Sequence, residues 1–270
     1  MPELPEVETV RRGLEPHLTG RRIEAVRTFR ADLRFPLPEL SRLTGRVCRG
    51  TARRGKYLLF AFDEMMLVWH LGMTGRFHVL PADTPRQPHE HVRLLLEGGE
   101  ALIYRDARRF GYAGLLPSDA WQRHAWFVRL GPEPLGDEFN ADRLAARCKG
   151  RKGPIKPLLM NAGVVVGVGN IYACEALFRA GIHPARAAGR IGRGRLQRLV
   201  EAVHAVLSEA IASGGSTISD FARVDGSPGY FAHTFAVYGR AGEDCPRCGN
   251  AIRRRVQAGR SSFYCPRCQR

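Results

Sequence analysis

Four cysteines close the sequence in two C-x2-C pairs, Cys245 with Cys248 and Cys265 with Cys268, sixteen residues apart. Each pair suits a tight knuckle, and the spacing is that of a structural zinc site whose four thiolates leave no coordination position open. A rubredoxin-like iron centre or two disulfides would use the same residues, although disulfides are disfavoured in a reducing compartment. The opposite end reads Met1-Pro2-Glu3-Leu4-Pro5-Glu6. A small second residue predicts removal of Met1, which exposes Pro2 as a secondary α-amine. A terminal amine has a reference pKa of about 8, so a useful fraction is neutral and nucleophilic near pH 7. Attack of such an amine on a sugar C1′ gives an iminium, an electron sink that acidifies the neighbouring sugar protons. Glu3 and Glu6 lie three apart on one side of a starting helix. A carboxylic acid beside the amine could protonate a leaving base or the ring oxygen. The same residues also read simply as a capped helix start.

Charge narrows the substrate. The 270 residues carry 42 Lys+Arg against 26 Asp+Glu, a formal net charge of +16. Such a surplus points to nucleic acid, because neutralising phosphates releases their counterions; a high-pI enzyme surface is the plainer alternative. Lys occurs only at 56, 149, 152 and 156 in an otherwise Arg background, which singles out Lys56 and Lys156 as places where a compact ammonium is wanted. Lys149 and Lys152 sit in a basic Gly-containing run that reads as a solvated loop. A hydrophobic fraction of 44% allows a real core and argues against a disordered basic tail. No apolar run approaches a membrane span, and the acidic, Pro-rich start is not a secretory signal. A protein of the reducing cytoplasm is therefore expected, with Cys48, Cys148 and Cys174 as buried or idle thiols.

The elements that must hold these groups are legible in outline. Val7, Val10, Leu14 and Leu18 make one apolar stripe, so residues 5–18 read as a helix, with Pro16 threatening its last turn and Gly20 closing it. From Arg22 to about Leu116 short strands alternate with turns: Tyr57–Phe62, Met65–His70, Gly75–Leu80, Val92–Leu96, Leu102–Arg105 and Tyr112–Leu116. That pattern predicts a β-sandwich closed by the first helix. Leu130-Gly131-Pro132-Glu133-Pro134-Leu135-Gly136 marks a linker. Helices follow around Asp142–Cys148, Pro154–Asn161, Asn170–Ala180 and Arg193–Ser213. Gly167 and Gly169 precede the third of these, with Asn170 expected as its N-cap. The long Gly- and Ser-containing stretch to Tyr238 shows no periodicity and reads as a functional loop. The last module predicts a hairpin of Ile252–Val256 and Ser261–Tyr264, carrying Arg253, Arg254, Arg255 and Arg260.

The sequence resembles bacterial formamidopyrimidine-DNA glycosylases. The resemblance is carried by the first fourteen residues and by Lys56-Tyr57-Leu58, His70-Leu71-Gly72-Met73-Thr74-Gly75 and Asp106-Ala107-Arg108-Arg109-Phe110-Gly111. It continues through Leu130–Leu135, Ile155-Lys156-Pro157, Val166–Tyr172 and the four-cysteine module, and so spans the chain in order. It implies an α+β multidomain fold: an N-terminal β-sandwich (1–130) with flanking helices, a linker (131–138), a helix–two-turn–helix domain (139–238) and a C-terminal zinc-finger β-hairpin (239–270). Duplex DNA with a damaged base would lie in the cleft between. The resemblance further implies a bifunctional glycosylase and lyase for 8-oxoguanine and formamidopyrimidines. Pro2 would be the Schiff-base nucleophile, Glu3 the acid, Lys56 the β-elimination donor and Arg260 the δ-elimination donor and phosphate clamp.

Met73, Arg108 and Phe110 match the intercalating triad that fills the space of an extruded base, with Arg108 facing the orphaned cytosine. His70, His89, Arg151 and Asn170 match DNA contacts, with His91 and Lys152 as close rivals of His89 and Arg151. Lys156 would reach phosphate or damaged base, or else lie along the surface with its head in water. The segment Ser216–Phe235 matches a lid over the flipped base. One structural zinc is the only cofactor implied, and a monomer acting on the bacterial nucleoid is expected. Two other readings stay open: an endonuclease VIII-like enzyme for oxidised pyrimidines, and a zinc-dependent DNA-binding protein without catalysis.

Overall fold

A computed structural model describes residues 1–215 and 235–270; the lid expected at Ser216–Phe235 thus falls, but for its last residue, outside the described residues. Contacts divide the described residues into two compact units, 1–128 with 213–215 and 129–212 with 235–270.

The first unit opens with α1 (Leu4–Leu18), in which Val7, Val10, Leu14 and Leu18 are all buried, as their spacing predicts. Pro16 does not end the helix: it lies exposed in the last turn, and the chain stays helical to Leu18. Gly20 then turns the chain at φ +83 and donates to the Cys48 carbonyl, a left-handed conformation suited to a residue without Cβ.

Eight strands follow: β1 (Ile23–Thr28), β2 (Gly50–Arg54), β3 (Tyr57–Ala61), β4 (Met65–His70), β5 (Arg76–Pro81), β6 (Glu90–Leu96), β7 (Glu100–Arg105) and β8 (Tyr112–Pro117). They form two antiparallel four-stranded sheets, ordered β1-β6-β7-β5 and β2-β3-β4-β8. Leu58, Phe60, Leu67 and Trp69 from one sheet share a core with Phe77, Leu94, Leu102 and Tyr104 from the other, and α1 adds its stripe. This is the expected sandwich, its inner faces packed by period-2 alternation. The outer face of β3 and β8 is covered as well. Tyr57 stacks on Trp126 and Tyr112 meets the same indole edge-on.

The second unit comprises residues 129–212 and 235–270. Its elements are α2 (Ala141–Cys148), α3 (Ile155–Leu159), α4 (Asn170–Arg179), α5 (Arg193–Ala212), β9 (Arg253–Gln257) and β10 (Arg260–Tyr264). Asn140 caps α2 by accepting the Arg143 amide at 3.0 Å. Every residue from Ile171 to Phe178 in α4 is buried, the signature of a helix enclosed on all sides. Asn170 is not its N-cap. Gly169 holds that position in an extended conformation, and Asn170 is the first helical residue, its side chain drawn away by tertiary partners. The hairpin turns through Ala258 and Gly259, both with positive φ, so Gln257 pairs with Arg260 in the two-residue geometry that matches strand twist. Among the described residues, no helix is long and apolar enough to cross a membrane.

Candidate nucleic-acid interface and metal centre

The four Sγ atoms of Cys245, Cys248, Cys265 and Cys268 lie within 4.8 Å of one another, with two pairs at 3.9 and 3.5 Å. A tetrahedral zinc with Zn–S of about 2.3 Å needs sulfurs about 3.8 Å apart, so the cluster fits the ion. Backbone N–H groups of Arg247 and Cys268 and the Asn250 amide point at sulfurs, which favours thiolates. The Cys248 thiol is pulled down to about 6, chiefly by the Asn250 backbone. Burial and the neighbouring sulfurs push Cys268 up to about 12. The set can hold its full negative charge only around a cation. The chain thus carries one structural zinc. Cys245, Cys265 and Ile252 pack with Cys174 and Phe178 of α4, which seats the metal module on the enclosed helix. Cys48, Cys148 and Cys174 are buried free thiols, and burial pushes Cys148 and Cys174 up to about 11.

At the amino terminus Glu3 caps α1 and is only 3% exposed, while Pro2 beside it is partly open. Glu6, also buried, reaches back to accept the Glu3 amide at 2.8 Å. The Glu3 side chain in turn accepts the Glu6 amide, closing a reciprocal capping box, and Glu3 directly follows Pro2 in the sequence.

Lys56 sits in the tight turn between β2 and β3, after Gly55 at φ +57. Arg53 braces that turn by donating to the Gly55 carbonyl at 2.9 Å and pairing with Glu8 at 3.2 Å. Glu8 is held below its ordinary range: burial raises it, but Arg11, Arg12 and Arg53 outweigh that. His70 ends β4, its ring stacked on Tyr112 at 4.8 Å. Its Nδ1 accepts the Gly72 amide at 3.0 Å, so the proton resides on Nε2, a free neutral donor. Burial, then Lys56 and Arg34, lower its pKa to about 4.

Met73 and Phe110 are 37% and 43% exposed, unusual for large apolar side chains. They sit on two loops, β4–β5 and β7–β8, whose backbones touch: a Cβ on Gly72 would lie 2.3 Å from the Phe110 carbonyl carbon. The Arg108 guanidinium lies 4.7 Å from the Phe110 ring centroid, so cation and ring are presented together. His89 is exposed at φ +60, whereas its rival His91 is buried with Nε2 2.8 Å from the Asp106 carbonyl.

Two neighbours went unnoticed in the sequence. The Arg34 amide donates to the Gly111 carbonyl, and Phe35 is 46% exposed against the Tyr112 ring. An Arg-aromatic pair just before Pro36, in a stretch without periodicity, was the available signal.

In the second unit Arg151 and Lys152 are both exposed, and exposure does not separate them. Arg260 is exposed at the hairpin turn. Lys156 does not lie along the surface with its head in water. It is 1% exposed, and Nζ donates to Asn170 Oδ1 at 2.6 Å, Ser262 Oγ at 2.7 Å and the Ser261 carbonyl at 3.0 Å. Asn170 Nδ2 donates to that same carbonyl at 3.0 Å. The ammonium therefore joins α3, α4 and the hairpin.

Three family descriptions match the chain in order: the formamidopyrimidine-DNA glycosylase N-terminal domain over residues 1–113, the corresponding H2TH domain over 130–222, and a zinc finger found in FPG and IleRS over 242–270. A formamidopyrimidine-DNA glycosylase of Alkalilimnicola ehrlichii is 51% identical, with both chains covered in full. The Lactococcus lactis Fpg, solved in complex with DNA containing N7-benzyl-Fapy-dG, superposes with a TM-score of 0.92 at 36% identity over 99% of each chain. The same bacterial protein has been solved with DNA containing an oxidised pyrimidine, with a TM-score of 0.92 at 35% identity, again over 99% of each chain.

Proposed function

Since the chain belongs to the formamidopyrimidine-DNA glycosylase family, we propose that it excises oxidised purines, 8-oxoguanine and formamidopyrimidines, from duplex DNA and then cuts the strand. With Met1 removed, the Pro2 nitrogen attacks C1′ of the extruded nucleotide. The C1′–N bond breaks and the base leaves with a proton from Glu3. Glu3 then takes the Pro2 N–H proton and passes it to O4′ as the C1′–O4′ bond opens, so the ring-opened sugar is held as an iminium on Pro2. The iminium acidifies C2′. Loss of that proton expels the 3′ phosphate with Lys56 as proton donor, and a second elimination expels the 5′ phosphate with Arg260 assisting. The product is a one-nucleotide gap flanked by phosphates.

Met73 and Phe110 fill the vacated stack, and Arg108 meets the acceptors of the orphaned cytosine. His70, His89, Arg151 and Asn170 hold phosphates, and Lys156 acts through Asn170 and the hairpin. Zinc, held by Cys245, Cys248, Cys265 and Cys268, keeps the hairpin in shape and takes no part in the chemistry.

The observation that carries this reading is the buried Glu3 carboxyl at the N-cap of α1, directly after Pro2 and held by a reciprocal capping box with Glu6. Its test is borohydride trapping on duplex with 8-oxoguanine opposite cytosine. A covalent adduct is expected, with Met1 absent by mass spectrometry, and Pro2→Gly with a blocked terminus abolishes the adduct. Binding without any adduct would make the chain a DNA-binding protein only. Oxidised pyrimidines are a second reading, favoured by the neighbour solved with such DNA. Trapping with thymine glycol and none with 8-oxoguanine would select it.

A further inference from the structure

We infer that Asp106 is the positioning residue of the wedge, a single buried carboxylate that locks the Met73 loop and the Arg108–Phe110 loop into one rigid device. The inference rests on the proposed reading of those three side chains.

Asp106 is 1% exposed and lies at the start of the β7–β8 loop. Its Oδ1 accepts the Thr74 hydroxyl at 2.5 Å, from the opposite loop. Its Oδ2 accepts the Gly111 amide at 2.8 Å and the Tyr104 hydroxyl at 3.2 Å. The Thr74 hydroxyl in turn accepts the Arg108 amide at 3.1 Å. One carboxylate thus reaches Gly111 directly and Arg108 through Thr74, bracketing the segment that carries the wedge cation and ring.

Its backbone is as engaged as its side chain. The Asp106 amide donates to the His89 carbonyl at 3.0 Å, and its carbonyl accepts the Arg109 amide at 3.3 Å. His89 and Arg109 are two of the three described non-glycine residues with positive φ. Such conformations persist only where the surroundings over-determine them, and both bond to Asp106. The loops cannot part or slide without breaking these bonds. Gly75 and Gly111 leave no room either, since a Cβ on either would fall within about 2.2 Å of the Tyr104 hydroxyl.

The function of such a lock follows from the cost of insertion. Parting a base step costs a few kcal/mol. A wedge that could fold back would yield to the stack, whereas one braced at both roots transmits the strain to the DNA. Opposite-base choice needs the same rigidity, because a guanidinium discriminates acceptors only if its approach is fixed.

The test uses the full-length zinc protein and three variants: Asp106→Asn, Thr74→Val and the conservative Thr74→Ser. A 2-aminopurine beside the lesion reports unstacking, cleavage opposite cytosine or adenine reports discrimination, and borohydride trapping on a single-stranded abasic site reports chemistry that needs no wedge. Asp106→Asn and Thr74→Val are expected to lose the 2-aminopurine signal and roughly tenfold in discrimination, the scale of one well-placed hydrogen bond. Single-strand trapping should stay at wild-type level, and Thr74→Ser should restore both wedge readouts. Thr74→Val alone decides the matter if Asp106→Asn does not fold. Unchanged discrimination in Thr74→Val overturns the assignment, as does an equal fall of single-strand trapping and wedge readouts, which would mark a purely structural role. Absence of trapping in the wild type would instead refute the proposed function.

Discussion

A histidine held neutral acts as a directional donor and not as a charge. His70 offers a fixed Nε2 donor because the Gly72 amide occupies Nδ1, and nearby Lys56 and Arg34 already supply the positive field. The pKa near 4 carries a stability consequence with a definite sign. Below pH 6.5 the unfolded chain takes up a proton that the folded ring resists, so stability falls as pH drops from about 6.5 towards 4. His70→Gln, neutral throughout, should flatten part of that slope. Thermal melts between pH 7 and 4.5 should show a difference on the order of 2 kcal/mol at the acid end, discounted because the ring is partly open. Parallel wild-type and variant slopes would contradict the shift. Arg108→Ala tests a different residue: cleavage opposite adenine should approach that opposite cytosine, and discrimination left intact would remove Arg108 from its role. Residue types and spacing made the four-cysteine cluster readable in the sequence; at Pro2 and Glu3 they left a capped helix start open beside the nucleophile, and the catalytic reading there comes from the family resemblance. Lys156 was not readable, because nothing local tells a lysine that its ammonium will be met by Ser261, Ser262 and Asn170 from distant elements. Asn170 misled for the same reason, its cap role displaced by those partners.

At the scale of elements, period-2 and period-3.6 patterns foretold α1, most of the sandwich strands and α5, because each buries one face of a regular repeat, whereas the hairpin was legible from the spacing of the cysteine pairs, its strand β9 being exposed from Arg253 to Val256. What the repeats did not foretell is how loops meet. The meeting of β4–β5 with β7–β8 depends on glycines whose missing Cβ is meaningful only once the opposite backbone is in place. Gly72 shows this most clearly. Its φ is +67, and a Cβ there would lie 2.3 to 2.6 Å from three backbone atoms of Phe110 and Gly111. Neither a rotamer change nor a small shift relieves a clash between two backbones. Gly72→Ala should therefore cost about 1–3 kcal/mol, read as a lower melting temperature. It should also spoil opposite-base discrimination, because Phe110 must move. A variant with native melting and native discrimination would show that the two loops do not touch. Phe35 belongs to this scale too. An exposed aromatic before a proline is ambiguous until β8 places Tyr112 beneath it.

At the scale of the whole molecule the two units have separate sources of stability, and this separation yields the broadest prediction. The first unit carries its own apolar core of sheet and helix residues. The second has a helical core of its own, with Leu144, Leu159, Leu177, Leu199 and Val203 buried, but its hairpin module rests on a small cluster in which Cys245 and Cys265 are themselves core residues beside Cys174, Phe178 and Ile252. Zinc binding is worth on the order of 10 kcal/mol in such modules, comparable with the stability of an entire domain. Removing the metal should release the hairpin from α4, freeing Ser261 and Ser262 from Lys156 and withdrawing Arg260 together with Arg253, Arg254 and Arg255 from any fixed phosphate track. Trp69, Trp121 and Trp126 all lie in the first unit, so tryptophan emission reports that unit alone. Treatment with a strong chelator should abolish retention of duplex DNA, while the helical circular dichroism signal is largely kept and the emission maximum stays at its native wavelength. Re-addition of zinc should restore binding. For every phosphate that the protein ceases to neutralise, the slope of log affinity against log salt should fall by about 0.9, so any residual binding should be distinctly less salt-sensitive than that of the zinc protein. Undiminished DNA affinity in the stripped protein would deny the hairpin its role, and a red-shifted emission would show that the metal supports the sandwich as well.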